Sequence, residues 1–144
     1  YRLGAVTAHE NTIAEMAKIT DNIQICAPRL GQLVLSRVIP HLADWRHENR
    51  MEIAARRSAF RTVFETLPDW SISSDGGYFG FVRHPYSDRT STNLAAVLMR
   101  QTGVLTIPGG FFGSAYDDHL RFAFANADIA AISSLPERLM SMLV

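Results

Sequence analysis

The strongest constraint on the fold is a change of period at Pro68. Upstream, Ile53, Phe60, Val63, Phe64 and Leu67 recur on one face of a helix predicted from His41 to Leu67. Arg46, Glu48, Arg50, Glu52, Arg56 and Arg57 supply its polar surface, with intrahelical pairs such as Glu52–Arg56. Proline is disruptive inside a helix, and beyond Pro68 the period changes. "WSISS", the turn "DGG" and "YFGFVR" read as two strands in hairpin order. A long helix followed by a hairpin implies a small domain of α/β class with an α+β-like layout. Its sheet is expected to be mixed and largely antiparallel, covered on one side by helices that include the long one. No extended strand-helix-strand alternation is present, which excludes a complete doubly wound fold.

The remaining segments fill in around that switch. Residues 1–8, "YRLGAVTA", suit a short strand, and "HENTIAEMAKITDNI" a helix capped by Asn11 or Thr12, with Glu15 completing a capping box. A second helix is expected from Pro28, and Pro40 suits the start of another. "TSTNLAAVLMRQT" predicts a helix with Leu94, Val97 and Leu98 inward, and "GVLTIP" a short strand. The glycine-rich "GGFFGSAYDD" reads as a loop and "HLRFAFA" as a further strand. Asp128 can cap a last helix that contains Leu135, Leu139 and Met142, which Pro136 bends or restarts.

The 144 residues make one domain's worth of chain, and 47% of them are apolar, enough for a real core. Fourteen basic residues balance fourteen acidic ones, so no net field attracts nucleic acid or an anionic membrane. No apolar run approaches a membrane span, and the start lacks the features of a signal peptide. Cys26 is the sole cysteine, expected to be a buried, inert thiol in a reducing compartment, and the protein is expected to be cytoplasmic. Lys18 is the single lysine, and the abrupt opening in a strand reads as a fragment or processed product.

The residue that stands out chemically is Arg121, in the middle of the apolar strand Leu120–Phe124. Alternation puts Leu120, Phe122 and Phe124 on one face, the core, and His119, Arg121, Ala123 and Ala125 on the other. An arginine among small apolar residues suits a pocket wall that grips a carboxylate through a two-pronged pair. It equally suits an internal ion pair with Asp117 or Asp118, or a side chain that reaches water. Gly109, Gly110 and Gly113 before it would let backbone pass close to a ligand, or serve only the turn. His41 and His47 are six apart without further ligands at helical spacing, so no zinc or other metal site is expected. Neither a phosphate-binding loop nor a GxSxG elbow occurs, so the chain holds no internally complete catalytic site of these kinds.

These stretches together resemble the C-terminal part of class I/II aminotransferases, the fold-type-I enzymes that use pyridoxal 5′-phosphate (PLP). "YRLGA" is similar to the strand that follows the family's cofactor-binding lysine, and "DGGYFGFV" to its GGxF hairpin. "GVLTIPGGFFG" is similar to the GVxxxPGxxFG segment, "HLRFAFAN" to the strand bearing the carboxylate-binding arginine, and "ERL" to the ending of the final helix. Five such motifs in register are specific, and they run through essentially the whole chain.

The resemblance implies that Arg2 binds the PLP phosphate, that Arg121 binds the substrate α-carboxylate, and that Tyr78 and Phe79 line the substrate site. It implies that residues 1–27 end the large cofactor domain and that 28–144 form the small domain. In the family pattern the cofactor-binding lysine, the aspartate facing the pyridine nitrogen and the stacking aromatic all precede Tyr1, and Lys18 does not match the motif lysine. The expectation is therefore a dimeric parent enzyme acting on amino acids and 2-oxo acids, with no catalytic residue, no covalent hold on PLP and no activity in this chain alone. Self-association of the chain through its exposed N-terminal segment is expected too. Two other readings stay open: a free-standing binder of small carboxylates, and a purely structural domain.

Overall fold

The computed structural model describes residues 3–143, and the chain divides into two compact units, 1–48 and 49–144, with the boundary inside a helix. In the first unit, helix α1 (Glu10–Ile23) and helix α2 (Arg29–Val38) are followed by a 3-10 turn, Ile39–His41, which contains Pro40. The cap of α1 is not Asn11 or Thr12. The His9 ring accepts the Asn11 N–H at 3.3 Å, so the helix starts before both expected caps. Residues 3–9 carry no regular structure, contrary to the expected strand. A strand needs a neighbour with which to exchange hydrogen bonds, and β-compatible residues alone do not provide one. Cys26 lies exposed in the turn after α1, which corrects the expected burial. Beside it Ile25 takes a left-handed φ of 52°, a costly conformation for a β-branched residue.

Helix α3 (Ala43–Glu65) is the long helix, and Glu52 and Arg56 on it are paired at 2.8 Å as the spacing predicts. In the second unit the hairpin forms as read, with strand β1 (Ser71–Gly76) antiparallel to β2 (Phe79–Arg83) and Gly77 at φ 55° in the turn. Helix α4 (Ser91–Thr102) leads to β3, only Ile107–Pro108, and β4 (His119–Phe122) follows the glycine loop. Sheet order is β1-β2-β4-β3, and every pairing is antiparallel. Asp128 caps α5 (Ile129–Ser133) by accepting the Ala131 N–H at 2.7 Å, and the chain restarts beside Pro136 as α6 (Leu135–Met140).

The core of the second unit lies between the C-terminal half of α3, α4, α5 and α6 and one face of the sheet. Phe60, Phe64, Leu94, Leu98, Ile132 and Leu139 meet Val82, Leu120 and Phe122 there, all buried. The Phe60 ring sits so close to Gly80 on β2 that a Cβ at that position would overlap it. Glycine is therefore required on this strand for α3 to seat. β4 ends earlier than the sequence suggests, because the chain turns into a 3-10 segment, Phe124–Asn126, which still buries Phe124 against Phe60 at 5.4 Å between centroids. Among the described residues no helix is long and apolar enough to cross a membrane.

Candidate functional site

The other face of the sheet is built from Phe79 and Phe81 on β2, His119 and Arg121 on β4, and Ile107 on β3. Arg121 pairs with Phe81 on one side and Ile107 on the other, so it stands in the middle of the sheet. Its guanidinium carbon lies 4.3 Å from the Phe79 ring centroid and 5.0 Å from that of Phe112. Flat cations are attracted to aromatic faces, and two rings hold this one in a fixed plane.

The arginine lacks what an ion-pair role would require. Asp117 accepts hydrogen bonds from the Ser91 backbone N–H at 3.0 Å and the Ser91 hydroxyl at 2.7 Å. Asp118 takes Arg83 at 2.7 Å and His119 at 2.5 Å. Arg121 makes no ion pair among the described residues, and its Nε is buried without a hydrogen-bond partner. Burying a guanidinium N–H unpaired is costly, of order 1–3 kcal/mol. With Nε enclosed by rings, the two terminal nitrogens are the donors left to meet an anion.

Phe79, expected to line the site, is the residue stacked on Arg121. Tyr78 is exposed at the hairpin corner, its ring edge-on to Phe79 at 6.4 Å, and its carbonyl accepts the Ala125 N–H at 3.3 Å. Arg2 lies outside the described residues. Phe112 was missed in the sequence, although "GGFFG" held the signal: a 3-10 turn, Gly109–Phe112, swings its ring over β4. The glycines there also differ in use from the expected close approach to a ligand. A Cβ on Gly109 would strike the backbone carbonyls of Tyr116 and His119, and the Gly110 N–H donates to Ser91 Oγ at 3.1 Å. The loop hugs its own strand and so fixes Phe112 beside Arg121.

Phe81 ties the face together. It stacks on His119 at 4.7 Å and 13°, and meets Tyr116 and Phe112 edge-on at 5.5 and 6.0 Å. Rings thus surround a single unpaired cation. Such an arrangement can bind a carboxylate and orient it end-on.

Comparison with known proteins points to the same family. A family model described as Aminotransferase class I and II matches residues 1–139. The chain is 24% identical over 143 residues to the aromatic aminotransferase ISS1 of Arabidopsis thaliana, covering 96% of this chain and 36% of the plant protein. Among solved structures, the aromatic aminotransferase of Pyrococcus horikoshii superposes with a TM-score of 0.71 at 20% identity, covering 91% of this chain and 35% of that one. LysN, the α-aminoadipate aminotransferase of Thermus thermophilus in complex with N-(5′-phosphopyridoxyl)-L-leucine, superposes with a TM-score of 0.72 at 18% identity, covering 94% and 37%. The chain therefore spans about a third of the length of the relatives it matches. The match across nearly the whole sequence places the chain in the class I and II aminotransferase family.

Proposed function

We propose that this chain is the C-terminal part of a PLP-dependent aminotransferase that moves an amino group between an amino acid and a 2-oxo acid, with Arg121 holding the substrate α-carboxylate. The observation that carries the reading is the unpaired Arg121 guanidinium, held between Phe79 and Phe112 with its Nε buried and unsatisfied. A cation left without a protein partner, at a cost to stability, fits an anionic ligand that completes it. Residues 1–27 would end the cofactor domain and 28–144 form the small domain of a dimeric enzyme.

When bound, PLP supplies an electron sink for the amino acid's α-carbon. This chain's residues act on the substrate around that chemistry. Arg121 would fix the carboxylate by two parallel N–H···O bonds, and Phe79 and Phe112 would hold the guanidinium plane so that the α-carbon is presented in one orientation. Lys18 does not fit a covalent hold on the cofactor: it is exposed on α1 and paired with Glu15 at 2.5 Å. Arg2 is the residue of this chain proposed for the cofactor phosphate.

The test uses the whole protein, obtained by extending the coding sequence upstream of Tyr1. Wild type and Arg121→Leu are assayed for transamination, with cofactor content read from absorbance. Loss of a charged two-pronged contact should lower kcat/KM by on the order of 10²-fold or more while cofactor content stays the same. An unchanged kcat/KM would remove Arg121 from the site. A whole protein unable to bind PLP would favour a carboxylate-binding module instead.

A further inference from the structure

Along the same sheet, a serine, a histidine and an aspartate are hydrogen-bonded in series. Ser73 Oγ lies 2.8 Å from His119 Nε2, and His119 Nδ1 lies 2.5 Å from Asp118 Oδ1. The other Asp118 oxygen takes Arg83 at 2.7 Å. Burial pushes the Asp118 carboxyl up, but the hydrogen bond from His119 and the nearby charges of His119 and Arg83 outweigh it and hold the group below its ordinary value. A carboxylate only accepts, so in the neutral ring Nδ1 carries the hydrogen and Nε2 is left to take the serine proton. This order of contacts is that of a nucleophile, a general base and the group that orients the base.

The backbone explains how the serine arrives there. β1 and β2 slip register between Ile72 and Ser74, so Ser73 is left out of the ladder while Ser74 pairs with Phe81. Such a bulge re-aims a side chain, and here it sends the hydroxyl across Phe81 to β4. Phe81 stacks on the imidazole at 4.7 Å and Tyr116 meets it edge-on at 5.9 Å, so the base is held in place, its side chain only 12% exposed. Ser73 itself is exposed. The hydroxyl is therefore open from solvent to a short-chain ester, which needs no deep acyl pocket.

We propose that Ser73, His119 and Asp118 form an acyl-transfer site for short-chain activated esters, beside the Arg121 site on the same face of the sheet and independent of the transaminase reading. Ser73 Oγ attacks the ester carbonyl while its proton passes to His119 Nε2. The C–O bond to the alcohol then breaks, and the alcohol leaves with that proton, giving acyl-Ser73. Water attacks the acyl group, again giving a proton to His119, and the carboxylic acid is released as the proton returns to Ser73.

The experiment uses the same whole protein, p-nitrophenyl acetate and a fluorophosphonate probe, with labelled peptides mapped by mass. The neighbouring Ser74 is exposed but has no histidine, so it serves as the internal control. We expect Ser73 to label on the order of 10²-fold faster than Ser74, the contribution of a positioned base. Ser73→Ala should abolish turnover with an unchanged melting temperature, and Asp118→Asn, which keeps the shape, should slow labelling by at least about tenfold. Equal labelling of the two serines overturns the proposal. So does ester hydrolysis that survives Ser73→Ala, which would be the exposed edge of the imidazole acting alone. A Ser73→Ala protein that melts earlier without any loss of reactivity would make the chain of contacts a tie between strands only.

Discussion

β4 has two faces built on opposite principles. Toward α3, Leu120 and Phe122 are buried beside Val82, and Phe60 fills the space that Gly80 leaves open. Toward the other side, His119 and Arg121 sit among Phe79, Phe81 and Phe112, partly exposed, with one guanidinium nitrogen buried and unpaired. The first face satisfies every side chain by packing. The second leaves a cation incomplete. Adjacent residues of one four-residue strand therefore serve stability and binding separately, because alternation points them in opposite directions.

The sharpest way to break that contrast is to damage the packed face and ask whether the other survives. Leu120→Ala removes a side chain with no exposure at the centre of the core, and should cost about 2–5 kcal/mol of unfolding free energy in urea. Gly80→Ala is smaller in atoms but drives a methyl into Phe60, costing about 1–3 kcal/mol. If either variant unfolds at the wild-type urea midpoint, the core is not where the packing puts it.

The open face should respond the other way. Arg121→Leu removes an unpaired buried N–H along with two ring contacts, terms of opposite sign near 1 kcal/mol each, so stability should move by no more than about 1 kcal/mol. Binding of a 2-oxo acid, followed by NMR on the arginine side-chain resonances, should nevertheless disappear. Phe112→Ala should leave Arg121 present but unclamped, weakening the same binding by roughly 2- to 30-fold, as expected for one cation–aromatic contact of about 0.5–2 kcal/mol. A variant of Arg121 that unfolds like Leu120→Ala would show that the cation is structural and the division between faces false.

The packed face was the legible one. The spacing of Phe60, Val63, Phe64 and Leu67 carries its own period, and a buried stripe is what that period means. The hairpin could be read too, since "DGG" can take a φ of 55° at Gly77 where other residues resist. Phe112 could not be placed from the sequence, because its position over Arg121 depends on how tightly a glycine loop folds onto β4. Nor could the Ser73 contact, which arises from a one-residue slip that no periodicity records. The N-terminal segment misled for a different reason. "YRLGAVTA" has the composition of a strand, but composition states a preference and pairing requires a partner. In α1 the cap fell on His9, a ring nitrogen doing what a serine or asparagine usually does.

A pair of histidines gives the finest test of the same contrast. His119 on the open face is hydrogen-bonded at both ring nitrogens, whereas His84, just past β2, is buried on the core side with Nδ1 unpartnered. Its Nε2 lies 3.3 Å from the Asp117 carbonyl. Burial pushes the His84 pKa down, against smaller opposing effects of the Asp117 carbonyl and the Asp118 charge, with His119 adding to the lowering. A depressed histidine pKa means the unfolded chain binds the proton first. Stability from this residue is therefore complete above about pH 6.5, the ordinary histidine value, and falls as the pH drops through the folded value. Asp75, held by Arg57 and Arg61 far below the carboxylate range, and the depressed Asp118 lose their contributions only at more acidic pH, outside this window. Urea midpoints at about pH 7.5, 6.5 and 5.5, spanning the histidine range, should decline for the wild type and decline less for His84→Gln, which keeps a donor for the carbonyl but cannot charge. Parallel declines would mean that the core face tolerates a charged imidazole, and that packing on that side is looser than the burial of Val82 and Leu120 implies.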